Sequence, residues 1–381
     1  MTAVEELVGA GTRGRHAAYD VPLVFTGDDG FTAAELRGTS VAEHTDAAWA
    51  DQVVTGLWPG ERALVALSFA PGGRGVAHRV VPLPGGPAAR DEAVARHRVR
   101  AVPTPAAYAD QVRAALGRIA DGQVDKLVLG RCLEAVSHPP LRPDTVVAGL
   151  LSARPGRYVF SLPLDAAPDA PVLLGASPEL LVRRRGALVA STPLAGSVPR
   201  SADPAEDRRR AEALQDSAKD LAEHAYVVDG IVAALRDVCV EVDAPARPQL
   251  LSTDTLHHLA TPIRARLAGD GPSALRLAQL LHPTPAVGGV PTTAALAAIT
   301  ELEGDLRGPL AGAVGWVDGR GDGELAVTIR AGVLDGERLR LFAGAGIVAG
   351  SDPELEVRET AAKLATMAHA VGLDLAGEVI A

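Results

Sequence analysis

Residues 156–196 read GRYVFSLPLDAAPDAPVLLGASPELLVRRRGALVASTPLAG. Within them GRYVFSL (156–162), PVLLGAS (171–177), ELLVRRR (179–185) and ALVASTPLAG (187–196) are short aliphatic and β-branched runs separated by turns. Such a series predicts an antiparallel meander rather than a βαβ repeat. Working outward, AAYADQVRAALGRIADGQ (106–123) has apolar residues at helical spacing and then a Gly stop, and DKLVLGRCLEAV (125–136) follows as a strand. Residues 204–236 carry one long helix signal, or two, and a further helix is expected at 272–281.

LHPTPAVGGVP (281–291) comes next. Its three prolines and two glycines exclude helix and strand interior. It also carries almost no charge, where a surface loop usually would, and is read as the wall of a small-molecule pocket on the strength mostly of residues elsewhere in the chain. A helix is expected at 291–303, three strands joined by Asp-Gly turns at 311–348, and a closing helix at 353–371. Residues 1–100 look like irregular α+β, with a strand at ALVALSF (63–69), and end near a proline-rich join, AVPTP (101–105). No 20–50-residue repeat is present. The fold class is α+β: a large, antiparallel-sheet-rich fold of two intertwined halves.

The bulk numbers narrow the function. At about 100–200 residues per domain, 381 residues make two or three domains or one large one, and 47% hydrophobic residues supply a substantial core. The formal net charge of −10 argues against nucleic acid or an anionic membrane as partner, though not against a small anion in a local cationic pocket. Apolar stretches fall far short of the ~18 residues that cross a bilayer. The N-terminal MTAVEELVGAGTRGRHAAYD lacks a leader's basic-then-apolar layout. Cys132 and Cys239 are too few for a disulfide scaffold or a cysteine zinc site. A soluble cytoplasmic protein is expected.

Several motifs fail. AGAGIVAG (343–350) has G-x-G-x-x-x-G spacing and no βαβ unit around it, so it is no dinucleotide fingerprint. GASPE (175–179) places Glu179 where a nucleophile elbow needs its second Gly. DGRGDGE (318–324) puts Arg320 where a calcium loop needs a ligand, so a hairpin turn is the better reading.

Two helices carry charge on an unexpected face. At ~100° per residue, Glu356, Glu359 and Lys363 share a face that continues through Met367 and Ala370. Asp220, Glu223 and His224 share a face with Val227, Val228, Ile231 and Leu235. An ordinary amphipathic helix keeps charge opposite its apolar stripe. One reading is a solvated first turn whose acids favour the helix dipole. The other is carboxylates turned toward a core, which must be paired, protonated or metal-bound; carboxylates without Cys or a His pair suit a hard ion such as Mg²⁺. Lys126, one of three lysines in the chain, and Glu179 lie in apolar runs. Lys126 is either a snorkelling strand-start residue or a base, and Glu179 either a solvated turn residue or a protonated acid. Arg330, in LAVTIRAG, alternates with Thr328 and Ala326 along an expected strand and faces either outward or inward onto a carboxylate.

These segments together carry a resemblance. VDKLVLGR, GASPELLV, STPLAGSVPR, SAKDLAEHAYVVDGI, HHLATPI, LHPTPAVGG, AGAVGWVD, GELAVTIR and AGAGIVAGSDPELEVRETAAKL resemble, in order and spacing, the chorismate-utilising enzymes, and within them the isochorismate synthases, from about residue 103 to 373. The resemblance implies two antiparallel sheets with helices outside and the active site between them. It implies residues 1–100 as a variable N-terminal part and 101–381 as the chorismate-binding catalytic region, integrated into one domain. It implies Lys126 as the base that activates water for attack at C2 of chorismate and Glu179 as the acid that protonates the departing C4 hydroxyl. Glu223 and Glu359 would hold Mg²⁺, with Glu356 near it. Arg330, Lys363 and backbone N–H groups around Gly344 and Gly346 would bind carboxylates. Leu194, Gly196, Ser197, His258, Thr261 and Ala286 would line the site, and His282 would cap backbone groups.

The product would feed siderophore or menaquinone biosynthesis. Ammonia-using relatives usually lack lysine near position 126 and need an amidotransferase subunit, so no such partner is expected, and a monomer is. Leu310 departs from the Tyr or Phe that relatives often have there, which bears on pocket width and pyruvate elimination. The rival readings are a salicylate synthase, a non-catalytic metabolite-binding homologue, and a subunit of an amidotransferase complex.

Overall fold

The computed structural model describes residues 21–87, 96–153 and 157–373; the stretch read for a leader lies outside them. The chain begins with β1 (Val24–Phe25), β2 (Ala33–Ala42), α1 (Ala47–Thr55), β3 (Arg62–Leu67), β4 (Gly75–Leu83) and β5 (Arg96–Val102). There follow α2 (Pro105–Ala120), β6 (Lys126–His138), α3 (Pro143–Ala153), β7 (Tyr158–Pro163), β8 (Val172–Ser177), β9 (Leu180–Arg185), β10 (Leu188–Thr192), β11 (Leu194–Pro199), α4 (Pro204–Asp216) and α5 (Ala218–Arg236). Next come β12 (Cys239–Asp243), β13 (Gln249–Ser252), β14 (Leu256–Ala260), β15 (Ile263–Leu267), α6 (Ala274–Leu281), β16 (Gly289–Val290) and α7 (Thr292–Glu303). The last elements are β17 (Ala313–Asp318), β18 (Gly323–Val327), β19 (Ala331–Asp335), β20 (Arg338–Ile347) and α8 (Pro353–Ala370).

The fold is α+β and its described strand pairings are antiparallel. One sheet has the order β1-β7-β8-β19-β20-β6-β16, with β5 also on β6; a second runs β12-β15-β10-β9-β18-β17-β3-β4-β2; a third, small sheet is β11-β14-β13. Strands from the first hundred residues therefore enter both large sheets. A main apolar cluster joins these sheets through residues such as Phe160 and Leu173 from one and Val182, Val314 and Leu325 from the other. Strand alternation sends Leu174 and Leu341 to the opposite face, where they meet Leu150, Leu364 and Met367 of α3 and α8.

The predicted meander does not stay in one sheet. β8 and β9 are consecutive but belong to different sheets, and so do β18 and β19. Because β8 pairs with β19 and β9 with β18, both strand pairs pass from one sheet to the other side by side. Pro178 lies in the first crossing and has no N–H for a ladder. The Ala176 N–H donates to Arg330 O (3.0 Å) and the Val327 N–H donates to Glu179 O (3.2 Å), which ties the two crossings together. A third change of sheet occurs at Pro193, where β10 of the nine-stranded sheet gives way to β11 of the small one.

The expected three strands of 311–348 are accordingly four, because the run breaks at Thr328–Arg330. Arg330 is no strand residue alternating with Thr328 and Ala326. It sits in the break with φ +50°, a left-handed backbone unusual for a non-glycine residue. The 204–236 helix signal resolves into two helices. Ser217 leaves helical geometry (φ −70°, ψ 111°) and its hydroxyl accepts from the Asp220 N–H, capping α5. In α8, Asp352 accepts from the Leu355 N–H and Pro353 takes the first turn. No helix among the described residues is long and apolar enough to cross a membrane.

Gly175 packs at the crossing, where a Cβ would lie 2.7 Å from Arg330 O and 2.8 Å from Ala331 Cα. Gly175→Ala is expected to push β8 and β19 apart and to lower the unfolding free energy by about 1–3 kcal/mol, read from a urea titration.

Candidate active site

The two crossings place Glu179 and Arg330 on one cavity of about 80 Å³. That is small beside the ~300–1,000 Å³ of ordinary ligand clefts, because charged side chains close on one another across it. Leu194, Gly196 and Ser197 of β11 line one side, with His258 of β14. Gly344 and Gly346 of β20, Glu223 of α5, Glu359 and Lys363 of α8, and Ala286 of the proline-rich loop complete the expected lining. Val128, Val287, Ile329 and Phe342 also face the cavity and carry no sequence signal of their own beyond hydrophobicity.

Glu179 is 3% exposed, so the solvated-turn reading fails. Burial pushes its carboxyl up to about 8, against the Leu194 N–H (3.5 Å) and the charges of Lys126, Lys363 and Arg330. At neutral pH it is a proton donor. Arg330 is lowered to about 10 by the same burial, opposed by Glu359 and Glu179, and stays cationic. His258 is buried, lies beside Arg330 and Lys363, and is held neutral: burial first, then those two cations, drive its pKa well below the ordinary histidine value.

The chain has three lysines, Lys126, Lys219 and Lys363, and each is paired with a glutamate here. Lys126 Nζ lies 3.2 Å from Glu223 Oε1, within ion-pair range but without hydrogen-bond alignment. Lys219 donates to Glu356 Oε1 (2.8 Å), and Lys363 donates to Glu359 Oε1 (2.6 Å) and to Gly344 O (2.9 Å). Lys126 is fully buried, so it does not snorkel. Gly346 makes the first pair possible, since a Cβ there would collide with Glu223 Oε1.

Each pairing has its own consequence. Burial and the neighbouring Glu359 charge raise the Glu356 carboxyl, against Lys219. Burial also opposes charge on Glu359, but Lys363 outweighs it and the net shift is downward. Lys219 was not singled out by sequence reasoning; its signals were lysine scarcity and its place one turn before Glu223 on α5.

Glu223, Glu356 and Glu359 do not converge as a ligand set, and among the described residues no three His, Cys, Asp or Glu do. Each is drawn to its own lysine instead. The donors nonetheless suit a hard dication: Glu356 Oε2 is buried without a partner, and the adjoining Glu359 is held as a carboxylate.

Three expected residues stand off the cavity lining. Lys126 lies behind Gly346, and Glu356 lies under Lys219. The Thr261 hydroxyl bonds His224 Nε2 (2.7 Å), while His224 Nδ1 reaches Ala195 O (3.2 Å), so Thr261 braces the β11 wall rather than forming it. His282 caps backbone as expected, with Nε2 3.0 Å from Phe69 O, and burial lowers its pKa to about 4. Leu310 is buried in the core, and its neighbour Ala311 lines the cavity.

The chain is similar to several known proteins. Residues 87–372 match the family model described as chorismate binding enzyme. The isochorismate synthase DhbC of Bacillus subtilis (strain 168) is 47% identical over 281 residues, covering 73% of this chain and 71% of the relative. The isochorismate synthase EntC of Escherichia coli (strain K12) is 43% identical over 274 residues, covering 72% and 69%. A crystal structure of DhbC from Bacillus anthracis superposes with a TM-score of 0.83 at 34% identity, covering 93% of this chain and 97% of that one.

Two measurements test the site's physics. Gly346→Ala is expected to evict Glu223 from Lys126 and to abolish ligand-dependent thermal stabilisation while far-UV circular dichroism stays native. Glu179 tests the buried proton: the folded carboxyl holds it up to about pH 8, whereas the unfolded one releases it near 4.5. The folded state therefore loses stability as pH rises from about 4.5 to 8, and Glu179→Gln should flatten that slope in denaturant titrations across the window.

Proposed function

The chain belongs to the chorismate-binding enzyme family, and from that premise we propose that it is an isochorismate synthase, an isomerase that moves a hydroxyl from C4 to C2 of chorismate. The observation that carries the chemistry is a buried carboxyl on the cavity, Glu179, whose pKa burial pushes up to about 8, with the buried Lys126 side chain behind the Gly346 wall of the same cavity. The reaction needs one acid and one base and no change of oxidation state.

Lys126 takes a proton from a water that forms the new C2–O bond. Both ring double bonds shift, from C1=C2 to C1=C6 and from C5=C6 to C4=C5, the C4–O bond breaks, and the Glu179 proton leaves with the hydroxyl as water. Water in and water out leave an isomer, and passage of one proton from Lys126 to Glu179 resets the site. Arg330 and Lys363 bind the substrate carboxylates as fixed cations in a dry cavity, where their charge counts most. Gly344 and Gly346 let the ring lie against backbone. Leu194, Gly196, Ser197 and Ala286 shape the remaining wall, with His258 at the pyruvyl side.

Glu359 and Glu223 would hold Mg²⁺ with Glu356 beside them. The ion would supply positive charge to the ring carboxylate, and with Glu223 and Glu359 as its ligands Lys126 and Lys363 would be left for water and substrate. We also propose that residues 1–100 act as a variable part of a single integrated unit with the catalytic region 101–381, that the protein works in the cytoplasm as a monomer without an amidotransferase subunit, and that its product feeds a siderophore or menaquinone route.

Purified protein incubated with chorismate and Mg²⁺ should yield an isobaric isomer by chromatography with mass detection. Salicylate plus pyruvate, or an aminated product with ammonium present, would sink the assignment. Lys126→Ala and Glu179→Gln should each lower kcat by roughly 10²–10⁴-fold with the fold intact. The wild-type kcat/KM should fall as pH rises through about 8, where Glu179 loses its proton.

A further inference from the structure

Strand β6 has a gap along one edge. β16 pairs with it at Lys126 and Leu127, and β5 takes over only from Cys132. Between them, residues 128–131 face no strand, although Val128 lines the cavity. Buried backbone groups need partners; the Val128 N–H finds Gly288 O (2.8 Å) just before β16, and two charged side chains supply two of the others. The Gly130 N–H donates to Glu303 Oε1 (2.7 Å), and Arg307 Nη2 donates to Val128 O (2.6 Å).

The same arginine reaches across to the proline-rich loop. Its Nη1 donates to Val287 O (2.6 Å), while Nε and Nη2 grip the two Glu303 oxygens, each at 2.7 Å. The guanidinium stacks 4.1 Å from the Phe69 ring centroid and 5.7 Å from that of Phe342. Side-chain exposure is 3% for Arg307 and 1% for Glu303. Neither residue touches the cavity, but Val128, Val287 and Phe342 all do. These are four bonds, two of them bidentate to one carboxylate; a lysine ammonium has three donors and no planar fork, and cannot make them all.

We propose that Glu303 and Arg307 are positioning residues that replace the missing strand, fix Val128 and Val287 at one spacing, and thereby set the affinity of the cavity for its substrate ring. The affinity part rests on the chorismate reading above. The fixed wall binds ring and transition state alike, so its loosening acts on KM more than on kcat.

The test compares wild type with Arg307→Lys and with the milder Glu303→Gln, which keeps an acceptor for the Gly130 N–H if the arginine variant fails to fold. Arg307→Lys should raise KM about tenfold or more and hold kcat within about threefold, with Glu303→Gln intermediate. Hydrogen exchange of the Val128 and Gly130 amides should quicken in both. A drop in Tm with KM and those amides unchanged would reduce the pair to a purely structural role, and a fall in kcat with KM unchanged would overturn the proposal as well. If wild type leaves chorismate untouched, the chorismate reading fails, while the amide exchange still decides whether the pair fixes the wall.

Discussion

Two pairs of strands change sheets at the same place, and most of the site follows from that. β8–β9 and β18–β19 cannot separate without breaking the ladder between them, so Glu179 and Arg330 at the two crossings are held against each other. Each has lost strand neighbours on one side. Their side chains enter the space that opens where the sheets part, and that space is the cavity. Backbone strain at Arg330 accompanies this, as is common where a site fixes a side chain.

Burying so many charges in one region is a liability that the sequence offsets locally. An unpaired charge in a protein interior costs several kcal/mol. Fully burying Leu364 or Met367 returns roughly 1.5–3 kcal/mol each, so the apolar end of α8 alone could not hold Glu356 and Glu359 inside. The lysines make up the difference, and the chain places all three of them here. A site already filled by its own counter-ions is small.

The proline-rich loop is the second support. Prolines keep Leu281–Pro291 stiff, and only its end, β16, pairs into a sheet. The rest is attached through His282 to Phe69, through Gly288 O to the Val128 N–H, and through Val287 O to Arg307. Its lack of charge fits a surface turned toward protein and cavity rather than solvent.

Much of this was written in the sequence, because it is local. Helical periodicity and caps located α2, α5, α7 and α8; alternation located the strands; and the shared charged and apolar faces of α5 and α8 pointed to Glu223, Glu356 and Glu359, of which Glu223 and Glu356 are buried to within a tenth of their surface while the Glu359 side chain is 30% exposed. Three things only the tertiary structure decided. Which sheet a strand joins depends on partners far along the chain, so one predicted meander became three sheets and Arg330 left its strand. Whether a charge is paired depends on a side chain from another element, so Lys219 and its hold on Glu356 were invisible. And the gap in β6 filled by Glu303 and Arg307 exists only because two distant strands stop short of each other, a fact about register that no local pattern encodes.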